Sequence, residues 1–214
     1  TRPVYLPCDK IPYYKVFQAD FIWNSGFAPS QKQKNIRAVH ETFLRQFPNQ
    51  TVLEISSKSM QEEGTTFSAF SLSKFVPSLV RAVLVENIFQ SSKLFENGGP
   101  YSDSLFTSPR EAKRDERLRT SGKLIGFYFE SMNFPSEPKT IFYDYIYLNA
   151  LLENEYLSQL VLSYDAFTDL EFNQNKSINC QSKAAALFVS LHRLGLTDCI
   201  RDFKSFLKLY TEEE

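Results

Sequence analysis

Apolar residues recur along this chain first at the spacing of extended segments and later at the spacing of helices. Residues 4–24, VYLPCDKIPYYKVFQADFIWN, are rich in Val, Tyr, Phe and Ile with prolines at intervals, which predicts short strands or extended segments at a sheet edge. Gly26 and Pro29 mark a turn. Ile36, Val39, Phe43, Leu44 and Phe47 then follow at intervals of mainly three and four, predicting an amphipathic helix from Ser30 with Lys32, Lys34, Arg37 and Glu41 facing water. Pro48 and Asn49 end it, residues 51–55 read as a strand, and 56–64 as a polar loop. The apolar, β-branched run 75–85 reads as a strand around Pro77 leading into a helix that begins near Glu86.

Past that helix, Asn97, Gly98, Gly99 and Pro100 break the pattern. Ser108, Pro109 and Glu111 spell a helix start in which Ser108 caps, Pro109 takes the first position and Glu111 completes an S-x-x-E capping box. Residues 125–129 read as a short strand. From Pro138 a long helical pattern runs through Ile141, Phe142, Tyr145, Leu148, Leu151 and Leu152, and a second through Leu157, Leu160 and Val161. Residues 164–179 look polar and turn-like. A helix over 182–194 stops at Gly195, and Thr197 or Asp198 caps a terminal helix. The sum is an α+β chain, predominantly helical, a single domain with a small sheet of short strands.

Composition narrows the function classes. The formal net charge of −1 excludes a generic nucleic-acid or anionic-membrane binder, so basic groups for such a partner must be local. No apolar run approaches the roughly 20 residues of a membrane span, and the first residues lack the apolar segment of a signal peptide. Cys8, Cys180 and Cys199 show no metal-ligand spacing, which predicts reduced thiols, a cytoplasmic location and no metal. The 20 Phe and 11 Tyr exceed what a core alone usually demands, so some rings are candidates for stacking on a planar ligand, with core packing the ordinary alternative. Nucleotide-binding glycine loops, the nucleophile elbow and the zincin motif are all absent as readable patterns.

The candidate chemistry gathers in residues 85–117. Glu86, Gln90 and Lys93 fall at i, i+4 and i+7 of the expected helix and so on one face. The ordinary alternative is a first-turn carboxylate favoured by the helix dipole, with an unrelated surface lysine. Arg110, Lys113, Arg114 and Arg117 share a face of the next helix. Four cations at that spacing repel one another unless anions sit opposite; Glu111, Asp115 and Glu116 offer a salt-bridged solvent face, and the helix start offers N–H groups to a phosphate.

Three segments, and less specifically a fourth, GTTFSAF, resemble the NADAR family, also known through YbiA-like proteins. VENIFQSSKLF is similar to its S-E-H-x-F-Q-x-x-K-F helix, matching Glu86, Phe89, Gln90, Lys93 and Phe95. SPREAKR is similar to its S-P-x-x-A-K/R-x-x-G-R helix, matching Ser108, Pro109, Ala112 and Lys113, and extends to Arg117. Residues 164–193 are similar to its closing segment, matching Asp165, Asn179, Leu187 and Arg193, and GTTFSAF to its early turn, matching Gly64, Ser68 and Phe70. The family's Trp-Gly pair falls here on Thr168 and Asp169, and its Leu-Gly after the Asn on Gln181 and Ser182. Residues 1–63 lie outside the common core, as an N-terminal extension packed on a domain of 64–214. That extension and the ENGGPY insertion resemble the branch associated with DarT-type DNA ADP-ribosyltransferase toxins.

The resemblance implies an antitoxin that removes ADP-ribose from guanine bases of DNA, with no cofactor, acting as a monomer and paired functionally with a DarT-type toxin. Such chemistry gives Glu86, Lys93, Asp165 and Asp169 catalytic roles. Substrate binding falls to Phe70, Phe89, Gln90, Tyr101, Arg110, Lys113, Arg114 and Asn179. The alternatives are an N-glycosidase on a small phosphorylated metabolite of the riboflavin-pathway type, a non-catalytic ADP-ribose or NAD-binding module, and a plain protein-binding antitoxin.

Overall fold

The structure, a computed structural model, describes residues 1–172 and 180–211. In chain order the first elements are β1 (Arg2–Pro7), β2 (Tyr14–Ala19), α1 (Pro29–Gln46), β3 (Val52–Glu54) and α2 (Glu62–Thr66). Then come β4 (Ser73–Val76), β5 (Arg81–Leu84), α3 (Val85–Ser91), β6 (Lys93–Phe95), α4 (Pro109–Arg114), α5 (Arg117–Thr120), β7 (Leu124–Phe129), β8 (Met132–Pro135) and α6 (Ile141–Leu152). The last are α7 (Glu155–Val161), β9 (Ala166–Thr168), α8 (Gln181–Arg193), α9 (Thr197–Arg201) and α10 (Phe203–Thr211). The class is α+β, with more helix than strand and the short strands shared among small sheets, as the patterning predicts. Among the described residues no helix is long and apolar enough to cross a membrane.

The chain divides into two compact units: residues 1–68 with the described residues from 155 onward, and residues 69–154. In the first, a four-stranded sheet runs β2-β1-β9-β3. Of the first two strands, β2 lies at an edge and β1 is interior despite Pro3 and Pro7. It can be, because β9 registers only with Val4 and Tyr5, leaving the prolines outside that ladder. β9 runs antiparallel to β1 and parallel to β3. Residues 166–168 were expected within a polar loop; a three-residue strand is too short to show alternation, and it sits among turn-forming neighbours. The stripe of α1 falls as predicted, with Ile36, Val39 and Phe43 buried against Val4, Ala19, Val52, Ala166 and Leu170.

Two other expectations for this unit are corrected. The polar stretch 56–64 ends inside α2, where Gly64 is buried so tightly that a Cβ would strike the Glu54 carbonyl and the Ser59 hydroxyl. The terminal helix is two helices, broken at Asp202, which accepts hydrogen bonds from the Ser205 amide (2.9 Å) and hydroxyl (2.8 Å). No side chain caps the start of α9.

In the second unit residues 75–85 form a hairpin instead of one strand. Pro77–Leu79 makes a 3₁₀ turn, Val80 takes φ 51°, and β5 returns along β4. A second sheet orders β6-β7-β8. Helix α6 is apolar nearly all round and buried along almost its whole length, the pattern of a core helix. Phe142 anchors an aromatic cluster, with ring centroids 4.5 Å from Phe127, 4.8 Å from Phe134 and 6.4 Å from Phe89.

Candidate active site

Helix α3 begins directly on leaving β5. Its first amides are satisfied by carbonyls of the preceding segment, Val85 to Leu72 at 2.9 Å and Glu86 to Ala69 at 3.0 Å. The Glu86 carboxylate is therefore released from capping, yet it is buried, with 4% of the residue exposed. The Gln90 amide nitrogen donates to Glu86 Oε1 (2.8 Å), and its oxygen accepts from Lys93 Nζ (2.6 Å). One amide thus joins a carboxylate to an ammonium. Lys93 does not lie on the helix, contrary to the i+7 expectation. The hydroxyls of Ser91 and Ser92 both turn back to the Ile88 carbonyl, and Lys93 opens β6 by pairing with Phe127. Its side chain returns over the Phe89 ring, 4.6 Å from the centroid. Burial pushes the Lys93 pKa down to about 8; Glu86 acts in the opposite sense and Lys113 in the same sense.

Helix α4 starts as its sequence predicts. Ser108 Oγ accepts from the Glu111 amide (3.3 Å), Glu111 Oε2 accepts from the Ser108 amide (2.9 Å), and Pro109 fills the first turn. This orientation buries Ala112 and sets Lys113 Nζ 3.8 Å from Glu86 Oε1 and 5.1 Å from the Phe70 centroid. The Lys113 side chain is 58% exposed, so it stands where the buried carboxylate meets solvent. Arg110 and Arg114 are exposed and, among the described residues, enter no ion pair. Arg117 differs. The helix breaks at Asp115, and Arg117 binds Asp115 (2.5 Å) and Asp103 (2.7 Å) while covering the Tyr101 ring at 4.3 Å. Those hydrogen bonds raise its pKa and make it a structural tie, so the basic face has three cations and not four.

Sequence reasoning missed the residue that sets α4 against α3. Asn87, buried on α3, donates to the carbonyls of Ser104 (2.7 Å) and Thr107 (2.9 Å), fixing the segment that delivers Ser108. Its only signal was an amide beside the candidate carboxylate. The rings named as stacking candidates have neighbours already. Phe89 is buried against Phe127 and Tyr143, and Tyr101 lies between Phe95 and Arg117 with its hydroxyl on Ser121. Gly98 is needed there, since a Cβ would strike the Tyr101 hydroxyl.

Asp165 and Asp169 belong to the first unit. Asp165 Oδ2 accepts from the Thr51 amide and hydroxyl, each at 2.9 Å, and Arg193 stands 3.7 Å from Oδ1. Asp169 is buried, accepts from the Gln181 side-chain nitrogen Nε2 (3.1 Å), and has Glu54 as an electrostatic neighbour. Glu54, which sequence reasoning also missed, accepts from the Thr168 hydroxyl (2.7 Å) and the Leu170 amide (2.9 Å). An acid in the middle of the apolar strand TVLEI was the available signal. Burial pushes both carboxyls up, and the Glu54 charge pushes Asp169 further. His40 Nε2 lies 3.1 Å from Thr168 Oγ1, whose proton is directed at Glu54, so the imidazole is the donor; burial lowers its pKa to about 4. Asn179 lies outside the described residues.

With its motif segments in family order and an α+β fold beneath them, the chain is a NADAR protein. Within that class it matches the family described as DarT1-associated NADAR antitoxin over residues 1–214, and it belongs to that family. The match takes in the N-terminal 63 residues as well as the shared motifs. No curated protein matches the chain closely enough to count as a relative.

Proposed function

We propose that the chain is the enzyme of its toxin–antitoxin pair, an ADP-ribosyl glycohydrolase that frees guanine bases of DNA from ADP-ribose. The observation that carries this reading is the buried Glu86–Gln90–Lys93 relay with Lys113 at its opening. The reaction breaks the bond between the anomeric carbon of the ribose and the guanine nitrogen. The bonding pair leaves with nitrogen, which takes a proton, while water supplies hydroxide to the carbon and loses a proton. Glu86 receives the proton from water, and Lys93, protonated at neutral pH with a pKa near 8, gives one to the departing nitrogen. Gln90 holds the two groups in register. Lys113, Arg110 and Arg114 bind the pyrophosphate by charge-assisted hydrogen bonds, and Phe70 lines the approach.

The lowered pKa of Lys93 favours a second course. When the guanine-bearing ribose opens, C1 is left as an imine of the guanine nitrogen; the neutral Lys93 amine adds to C1 and its proton passes to the guanine nitrogen. Unmodified guanine departs with the C–N bonding pair, and water then hydrolyses the lysine imine to ADP-ribose and free amine. Borohydride added during turnover traps that imine as a covalent adduct on Lys93, whereas the proton-donor course leaves nothing to trap.

The test is incubation of the purified chain with DNA carrying ADP-ribosylated guanine. Unmodified DNA and free ADP-ribose are the expected products, and Glu86→Gln reduces the rate on the order of 10²–10⁴-fold with an unchanged circular dichroism spectrum. Full activity in Glu86→Gln removes Glu86 from the chemistry. Release of base from a small phosphorylated metabolite, with modified DNA untouched, replaces the DNA reading by the metabolite one. Tight ADP-ribose binding with no turnover replaces the enzyme by a binding module.

A further inference from the structure

The near-zero net charge conceals an uneven distribution. Residues 1–47 hold seven Lys or Arg against three Asp or Glu. The same segment exposes three large apolar side chains between β2 and α1: Ile22 is 89% exposed, Trp23 43% and Phe27 100%. A loop carrying three exposed apolar side chains is ordinarily driven to collapse, but this one is pinned. Asn35, fully buried on α1, accepts from the Asn24 amide (2.7 Å) and side-chain nitrogen (3.2 Å) and donates back to the Asn24 carbonyl (2.9 Å).

Cations are interleaved with the rings. The Arg2 guanidinium lies 5.3 Å and the Lys32 ammonium 5.8 Å from the Trp23 centroid. Lys32 also pairs with Glu171 at 3.0 Å, and Asp20 holds the Thr1 hydroxyl, so these acids are already engaged. Arg2 Nε is a buried donor with no hydrogen-bond partner among the described residues. Lys34 and Arg37 are exposed on α1. A buried donor lacking an acceptor beside an exposed indole calls for an anion joined to something flat.

We infer that this basic aromatic platform binds single-stranded DNA, bases stacking on Trp23 and Phe27 and phosphates meeting Arg2, Lys34 and Arg37. Stacking surfaces flanked by cations are the general solution to holding a strand without reading its sequence. The platform gives the chain a grip on unmodified nucleotides, and it serves the glycohydrolase reading proposed above by raising the affinity for the modified strand.

Trp23 is the single tryptophan, so its emission reports on this surface alone. Titrating the full chain with unmodified dT15 quenches that emission, and the affinity falls with salt at a log–log slope of about −2 for three neutralised phosphates. Phe27→Ser, at a fully exposed position, weakens binding of labelled dT15 by about 5-fold or more, the scale of one stacked base. Cleavage of an ADP-ribosylated guanine mononucleoside by Phe27→Ser stays at the parent rate, while KM for a modified oligonucleotide rises. The inference is overturned by dT15 binding that leaves Trp23 emission and the Phe27→Ser affinity unmoved, or by no dT15 binding at low salt. It is equally overturned if Phe27→Ser changes the oligomeric mass and not the DNA affinity, which marks a contact between copies. A parent chain that quenches with dT15 but cleaves neither substrate sinks the glycohydrolase reading and leaves the platform standing.

Discussion

Each unit buries a carboxylate cluster, and the two are built on opposite electrostatic terms. Glu86 has an amide and two ammonium groups about it and a route to solvent past Lys113. Glu54 and Asp169 face each other, with the Glu171 charge acting on Glu54 and neutral donors from Thr168, Leu170, Phe172 and Gln181. In the first cluster charge is balanced across a hydrogen-bonded chain, and its cost falls on Lys93, whose proton becomes easy to release. In the second, burial and like charge push both acids toward their protonated forms. What distinguishes the Glu86 cluster is a transferable proton with an outlet.

The sharpest way to break this comparison is Lys93→Arg, which keeps the positive charge but cannot yield it at working pH. Turnover on ADP-ribosylated DNA should fall on the order of 10²–10⁴-fold, while ADP-ribose binding by calorimetry persists. A variant with more than a tenth of the parent rate removes Lys93 from proton transfer. Lys113→Gln acts more mildly. Losing an exposed cation should weaken ADP-ribose binding about 5-fold, or ~1 kcal/mol. Lys113 also helps hold the Lys93 pKa down, so the alkaline fall in rate expected near pH 8 for the parent should move to higher pH in the variant. A limb that stays in place or moves down contradicts the assignment.

The smallest effect is expected in the other cluster and is one of stability. An acid whose folded pKa is raised binds more protons folded than unfolded between the two values. Its contribution is whole below the unfolded range, about pH 4, and is lost as pH rises through the raised folded value. Asp169→Asn removes that loss. Melting temperatures compared between pH 5 and 8 should decline less in the variant, by a difference on the order of 1 kcal/mol, or about 2–4 °C at this size. An identical decline shows that the pair does not titrate on unfolding.

The chain disclosed these features unevenly, for physical reasons. The α4 start was fully legible, because a capping box is a local contract among Ser108, Pro109 and Glu111. The α1 stripe was legible because eighteen residues give periodicity room to show. Glu86, Gln90 and Lys93 were found together, but the geometry that unites them was misread. Spacing suggested a helix of at least two turns, and the paired serines ended it before Lys93. The hairpin hidden in 75–85 was obscured by its unbroken apolar character, with only Pro77 to hint at the turn. Glu54 and Asn87 act on partners 114 and about 17 to 20 positions away, and no local pattern encodes such distances.

Strand β9 carries an implication for synthesis. It is the only described strand that joins the β1–β2 hairpin to β3, and it lies more than a hundred residues after both. As the chain leaves the ribosome, all of residues 69–154 emerge before residues 166–168 arrive to close the sheet. The unit with the Glu86 relay can thus assemble while the segments before it still wait for their central strand. A nascent chain cut short after residue 154 should already protect the α3 and α6 amides from hydrogen exchange, and leave those of β1 and β3 open.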